Sequence, residues 1–170
     1  MRYNRLVTKS VTAFKIERRL FMSISSRFSV GIHILTLIEL NKDDISSSER
    51  LAKSVNTNPA MIRKIMGMLK KAHLISVRPG VAGATLVKGL SEISLLDVYK
   101  AVHVVKDNEL FSIHDNPNPN CIVGRNIQET IDPIFISAQR ALEQVLETTT
   151  LDQIVDDVLK NEALKVESEH

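Results

Sequence analysis

The side chains able to do chemistry in this chain are few, and the ones that cluster are cations. Arg63, Lys64, Lys70 and Lys71 fall within one stretch, PAMIRKIMGMLKKA, that starts at Pro59. They lie off the apolar stripe made by Ile62, Ile65, Met66 and Leu69. Guanidinium and ammonium groups on one side of a helix suit phosphate oxygens and base edges rather than bond-breaking. Arg78 follows in a β-prone run. Nothing matches this pattern on the catalytic side. His33 lies on an apolar helix, as a packed or surface imidazole, and neither His103 nor His114 belongs to a Ser-His-Asp order. There is no phosphate loop and no metal-ligand spacing. The chain is therefore expected not to be an enzyme. Its single cysteine, Cys121, cannot form an internal disulfide or alone hold zinc or an iron–sulfur cluster. It precedes a long helix, where a thiolate is favoured. Two roles stay open for it: a redox sensor, or a small loop-packed residue without chemistry.

The elements that carry these groups follow from composition. In 170 residues, 44% are hydrophobic but only 4% aromatic, with no Trp, so the core must be aliphatic and suits packed helices. That is enough for one domain, or a small domain with an oligomerisation arm. No apolar run approaches the ~20 residues needed to span a bilayer, and a cytoplasmic protein is expected. The net charge of +2 hides segregation: residues 22–88 carry ten Lys/Arg against four acids, and residues 89–170 carry six against fifteen. A basic half and an acidic half suit a polyanion-binding module joined to something else. Residues 1–21 are also basic, six against one, and are expected to be an extension, with Met22 an alternative start. With no long apolar stretch and no small-residue cleavage site, they are not expected to be a secretory signal.

Periodicity predicts a buried helix over Ser29–Leu40, then a capping box at Ser46–Glu49 that opens a short helix with Leu51, Ala52 and Val55 inward. Asn58 is the expected N-cap and Pro59 the first residue of the basic helix. A hairpin over Leu74–Arg78 and Thr85–Val87 follows, with Pro79, Gly80 and Gly83 between its strands. Two helices, a short polar turn and a hairpin in that order make a winged helix-turn-helix. Ser94–Asp97 caps another helix with Leu95, Val98, Ala101 and Val102 apolar. A long helix is predicted from about 123 to 147, with a stripe of Ile127, Ile131, Ile134, Phe135, Ala138, Leu142 and Val145, and Pro133 inside it. A small winged-helix body cannot cover that stripe, so a symmetric dimer is expected. A last short helix is predicted over 150–159, and 161–170 as a flexible tail. The fold class expected is mainly α with a small β wing, in which residues 22–90 form the DNA-binding domain and 91–160 the linker and dimerisation region.

Several of these pieces, in order, resemble the Rrf family type two (BadM-like) of bacterial winged-helix transcription regulators. They are SSRFSVGIHILTLI, SSERLAKSVNTNPAMIRKIMGMLKKAHLI, RPGVAGATLVK and ISLLDVYKAV, and the resemblance covers roughly residues 22–160. The run NPNPNC before the long helix looks closest to the YwnA-type members. Cluster-binding members carry three cysteines in that loop, whereas here only Cys121 matches, as the last of them, with His114 near an earlier ligand position. One thiolate and one imidazole are too few, so no cofactor is expected. Arg78 sits about one position early relative to the family's wing arginine. Arg63 stands at a recognition-helix position that is acidic in the family's iron–sulfur regulator; Arg prefers guanine O6/N7 where Glu prefers cytosine N4, which implies a different target.

The expected function is sequence-specific binding of double-stranded promoter DNA by a homodimer, as a repressor on a near-palindromic operator, with Cys121 as the candidate thiol sensor. The candidate DNA contacts are Ser47, Asn58, Arg63 and Lys64, with Lys70 and Arg78 in support. The alternative is a winged-helix protein-interaction module without specific DNA binding, which would expose apolar residues where Arg63 and Lys64 stand.

Overall fold

The computed structural model describes residues 24–41, 47–78, 83–102, 111 and 114–168. The extension 1–21, Met22, Ser46, the wing-tip residues Pro79 and Gly80, and His103 lie outside the described residues. Among those described there are six α-helices: α1 (Ile24–Leu40), α2 (Ser48–Val55), α3 (Pro59–Lys71), α4 (Leu95–Val102), α5 (Ile127–Thr148) and α6 (Leu151–Ser168). Strands β1 (Ile75–Ser76) and β2 (Thr85–Leu86) lie between α3 and α4, and a 3-10 turn covers Leu90–Glu92.

The core is aliphatic, as the composition requires. Ile34 and Leu35 of α1, Ile62, Ile65 and Leu69 of α3, and Val98 and Val102 of α4 are fully buried in one cluster, joined by Leu51 and Ala52 of α2. Leu74, Ile75, Ile93 and Leu151 close it, so the cluster draws on chain both before and after residue 90. Removing a side chain such as Leu69 from such a core costs about 2–5 kcal/mol. α1 crosses α4 closely, and Gly31 makes that possible: a Cβ there would lie 3.2 Å from Val98 Cγ1 and 3.3 Å from Val102 Cγ1. Phe28 packs edge-on against Tyr99 at 5.5 Å beside the crossing.

α3 ends by turning sharply. Ala72 N–H donates to Met68 O and Leu74 N–H to Leu69 O, both at 3.0 Å, with His73 held at φ 57°. This reversal delivers Ile75 into the core and starts the wing. β1 and β2 pair antiparallel, Ile75 opposite Leu86 and Ser76 opposite Thr85. β1 packs on α3 and β2 on α1, which fixes the wing beside the helix pair. Ser94 and Asp97 then cap α4 reciprocally, Ser94 N–H to Asp97 at 3.0 Å and Asp97 N–H to Ser94 Oγ at 3.1 Å.

Two helices differ from their predicted limits. α5 starts at Ile127, not near 123, because residues 122–126 form successive turns; Asn126 spends its side-chain amide on Ile122 O at 2.7 Å and gives no side-chain cap. α6 runs to Ser168, past the predicted end at 159. KNEALKVES contains no glycine or proline, and its Ala, Leu, Lys and Glu favour helix, so nothing stops the turn-by-turn growth from the anchored first half. That half is tied down by Leu151 and Val155, which are buried, and by Leu151 N–H to Ile93 O at 2.9 Å.

Candidate nucleic-acid interface

The helix pair is fixed at the short turn between its members. Ser47 is the N-cap of α2, its hydroxyl accepting from Arg50 N–H at 3.3 Å. The cap is thus Ser47 rather than the predicted Ser46, and the reciprocal box with Glu49 does not form. Glu49 falls in the first turn of α2 and points its carboxylate elsewhere. α2 closes at Asn56, left-handed at φ 55°, with Thr57 N–H returning to Ala52 O at 3.0 Å. Asparagine tolerates that conformation better than most residues. Asn58 then caps α3 as predicted: its Oδ1 accepts from Met61 N–H at 2.8 Å, with Pro59 in the first turn. Each such cap is worth about 1 kcal/mol. Together the two caps fix where each helix starts, and with it the short turn between them.

Because Ile62, Ile65 and Leu69 face the core, helical periodicity decides the opposite row. Ala60, Arg63, Lys64, Gly67, Lys70 and Lys71 are exposed on α3. The helix carries no acidic residue. Lys70 stands seven residues beyond Arg63, about 10 Å along the axis. Lys70 and Lys71 also occupy the last turn, where a cation complements the helix dipole. Arg78 is exposed just beyond β1, at the root of the wing. The structure therefore brings Arg63 and Lys64 together, sets Ser47 and Asn58 at the starts of the two helices, and leaves Lys70 and Arg78 apart from that group.

Arg63 has partners that the sequence did not reveal. Its Nη1 donates to Ser48 Oγ and to Glu49 Oε1, each at 3.2 Å. Arg63 and Glu49 side chains are 59% and 65% exposed, so solvent screens the pair and its value is orientation more than stability. The Glu49 carboxyl is held below its ordinary range, first by its own backbone N–H, then by the Ser48 hydroxyl, with a smaller contribution from the Arg63 charge. Glu49 was read only as part of a cap. A contact across fourteen residues and two helices leaves no local signature.

Cys121 is exposed, in the turns before α5. The backbone N–H groups of Gly124 and Val123 favour its thiolate and lower its pKa. The donors are thus those of the turn itself, not those of the first turn of α5. Gly124 is required there, since a Cβ would collide with the Asn118 carbonyl oxygen.

The stripe predicted on α5 divides in two. Ile127, Ile131 and Phe135 are half-buried, Phe135 stacking on Phe111 at 4.8 Å. Ile134, Ala138, Leu142 and Val145 are exposed, Ile134 at 61% and Val145 at 62%. The only α5 side chain buried is Gln139, which donates to Glu143 Oε1 at 2.8 Å.

A helix-turn-helix with an antiparallel wing and a cationic, acid-free second helix defines a winged-helix DNA-binding regulator. The comparisons name it more closely. The family model of Rrf2, an iron-dependent transcriptional regulator, matches residues 24–157. The chain is 48% identical over 133 residues to YwnA of Bacillus subtilis (strain 168), assigned there as an HTH-type transcriptional regulator; the match covers 78% of this chain and 97% of YwnA. A crystal structure described as that of a DNA-binding protein is 43% identical, with TM-score 0.61, covering 75% of this chain and 97% of that one. A transcriptional regulator from Lactobacillus plantarum, at 23% identity, shares the fold with TM-score 0.67 over 84% of this chain and 96% of its own. This chain belongs to the Rrf2 family of transcriptional regulators.

The family description speaks of iron, but the donor set among the described residues does not fit it. Among the described residues no group of three or more His, Cys, Asp or Glu side chains could hold a metal ion. His114 accepts a hydrogen bond at its backbone carbonyl from Gln128 Nε2 at 2.9 Å.

Proposed function

We propose that the protein binds promoter DNA as a homodimer, with α3 of each subunit in the major groove of one half of a near-palindromic operator, and represses transcription there. The observation that carries this is the exposed row of α3, which holds Arg63, Lys64, Lys70 and Lys71 and no acid. Arg63 is placed for guanine O6/N7, and Asn58 and Ser47 for the groove edge at the helix starts. Lys64, Lys70 and Arg78 supply phosphate or wing contacts, which set affinity and register. The exposed α5 row of Ile134, Ala138, Leu142 and Val145 supports a second copy as partner, since a stripe that long is rarely left in water. No helix among the described residues is long and apolar enough to cross a membrane. Cys121 gives the protein its thiol response: a peroxide transfers one oxygen to the favoured thiolate to give the sulfenic acid, with hydroxide leaving, and this alters the turns that lead into α5 and with them the spacing of the half-sites. Cys121→Ser should then bind DNA identically with and without oxidant, while the parent protein does not; identical behaviour of both removes the sensor.

The DNA contact is tested by salt. Affinity for duplex DNA should fall steeply as salt rises, and Lys64→Ala should flatten the log–log slope by about 0.9, one phosphate contact. A slope unchanged by Lys64→Ala contradicts the assignment.

A further inference from the structure

Among the described residues, nothing requires position 67 to be a glycine. It lies in the third turn of α3, on the exposed row between Lys64 and Lys71. Among the described residues, nothing comes within 4 Å of the position its Cβ would take. Gly31, by contrast, is pressed against Val98 and Val102. The backbone does not ask for glycine either, since Gly83 is the described glycine with a positive φ. A glycine in a helix interior nevertheless costs about 1 kcal/mol relative to alanine. The missing side chain leaves bare backbone open on the exposed row.

The neighbours on the row say what kind of surface. Arg63 and Lys64 stand one turn before Gly67, and Lys70 and Lys71 one turn after. Whatever approaches the bare backbone between two pairs of cations is a polyanion. Arg63 belongs to the part of the helix that meets base edges. Gly67 is about 6 Å further along the axis, where the helix passes the wall of the groove. We propose that Gly67 is the point at which α3 comes closest to the sugar–phosphate backbone, so that Lys64 and Lys71 on either side can reach phosphates. This rests on the assignment of α3 to the major groove. A methyl group at 67 would hold the strand off by about 1.5 Å, one carbon–carbon bond.

The test compares full-length parent protein, Gly67→Ala and Lys64→Ala for thermal midpoint and for anisotropy-monitored binding to a random-sequence duplex at low salt. Gly67→Ala should melt higher than the parent and bind the duplex about tenfold more weakly, a loss of about 1.4 kcal/mol. Parent-like binding by Gly67→Ala beside weakened Lys64→Ala overturns the role of Gly67 alone. A lower melting point overturns it too, because the space above Gly67 is then not free. Absence of duplex binding by the parent protein overturns both this role and the groove assignment.

Discussion

Arg63 is not a free surface arginine, and that changes what its neighbours do. One nitrogen is held by Ser48 and Glu49, so the guanidinium is oriented before any DNA arrives. Pre-orientation lowers the entropy lost on forming a bidentate contact. Arg63→Ala should cost about 1–3 kcal/mol and relax preference at one base pair. Glu49→Gln is the sharper probe. It removes a negative charge near the phosphates, so affinity for random duplex should rise. It also loosens Arg63, so the ratio of specific to random affinity should fall. An unchanged ratio would show that Glu49 does not position Arg63. The pH dependence has a definite sign. The Glu49 carboxyl titrates lower in the folded protein than in the unfolded chain. Its contribution is therefore present above the ordinary carboxylate range and is lost as the pH falls through its lowered value. Around neutral pH the tether to Arg63 stays intact, and the stability difference between parent and Glu49→Gln should shrink only in acid.

The helices were readable where their ends are chemical and their faces periodic. Asn58-Pro59 announced α3, Ser94 with Asp97 announced α4, and the spacing of Ile62, Ile65 and Leu69 gave the buried side of α3, hence also its exposed cations. What the sequence could not show were choices settled by distant or competing contacts. Ser47 won over Ser46 as cap while Glu49 turned to Arg63, and residues 122–126 became turns where Gly124 meets Asn118. α6 outlasted its prediction because helix growth from an anchored start needs no further burial. The end of α3 offers a test of this kind of local accounting. His73 holds φ 57°, where a side chain is strained and glycine is not. His73→Gly should raise stability by about 0.5–1 kcal/mol, after allowing for the freedom glycine adds to the unfolded chain. Denaturant unfolding measures it directly; a loss of stability would mean that the histidine ring contributes more than the strain it imposes.

The charges and the apolar surface of the chain are sorted in the same sense. The basic groups gather on the half that carries α3 and the wing, and the acids on the half that carries α5 and α6. An acidic, apolar-striped half is kept off DNA by its charge and suits a second subunit instead. Dimerisation through α5 predicts that Ile134→Glu with Val145→Glu yields a monomer in sedimentation. The shared core should stay folded, because neither side chain belongs to it. A double variant that still sediments as a dimer places the contact elsewhere. The proposed dimer carries a prediction for spacing: two α3 helices related by a two-fold axis should reach half-sites about 34–36 Å apart, one turn of the duplex. The decisive measurement is selection of fragmented genomic DNA by the full-length protein, reduced and at physiological salt, in parallel with Arg63→Ala. Recovery by the parent protein of a shared near-palindrome with that spacing, lost or relaxed in Arg63→Ala, is the result expected of α3 as a base-reading helix. Unrelated fragments recovered equally by both would contradict it.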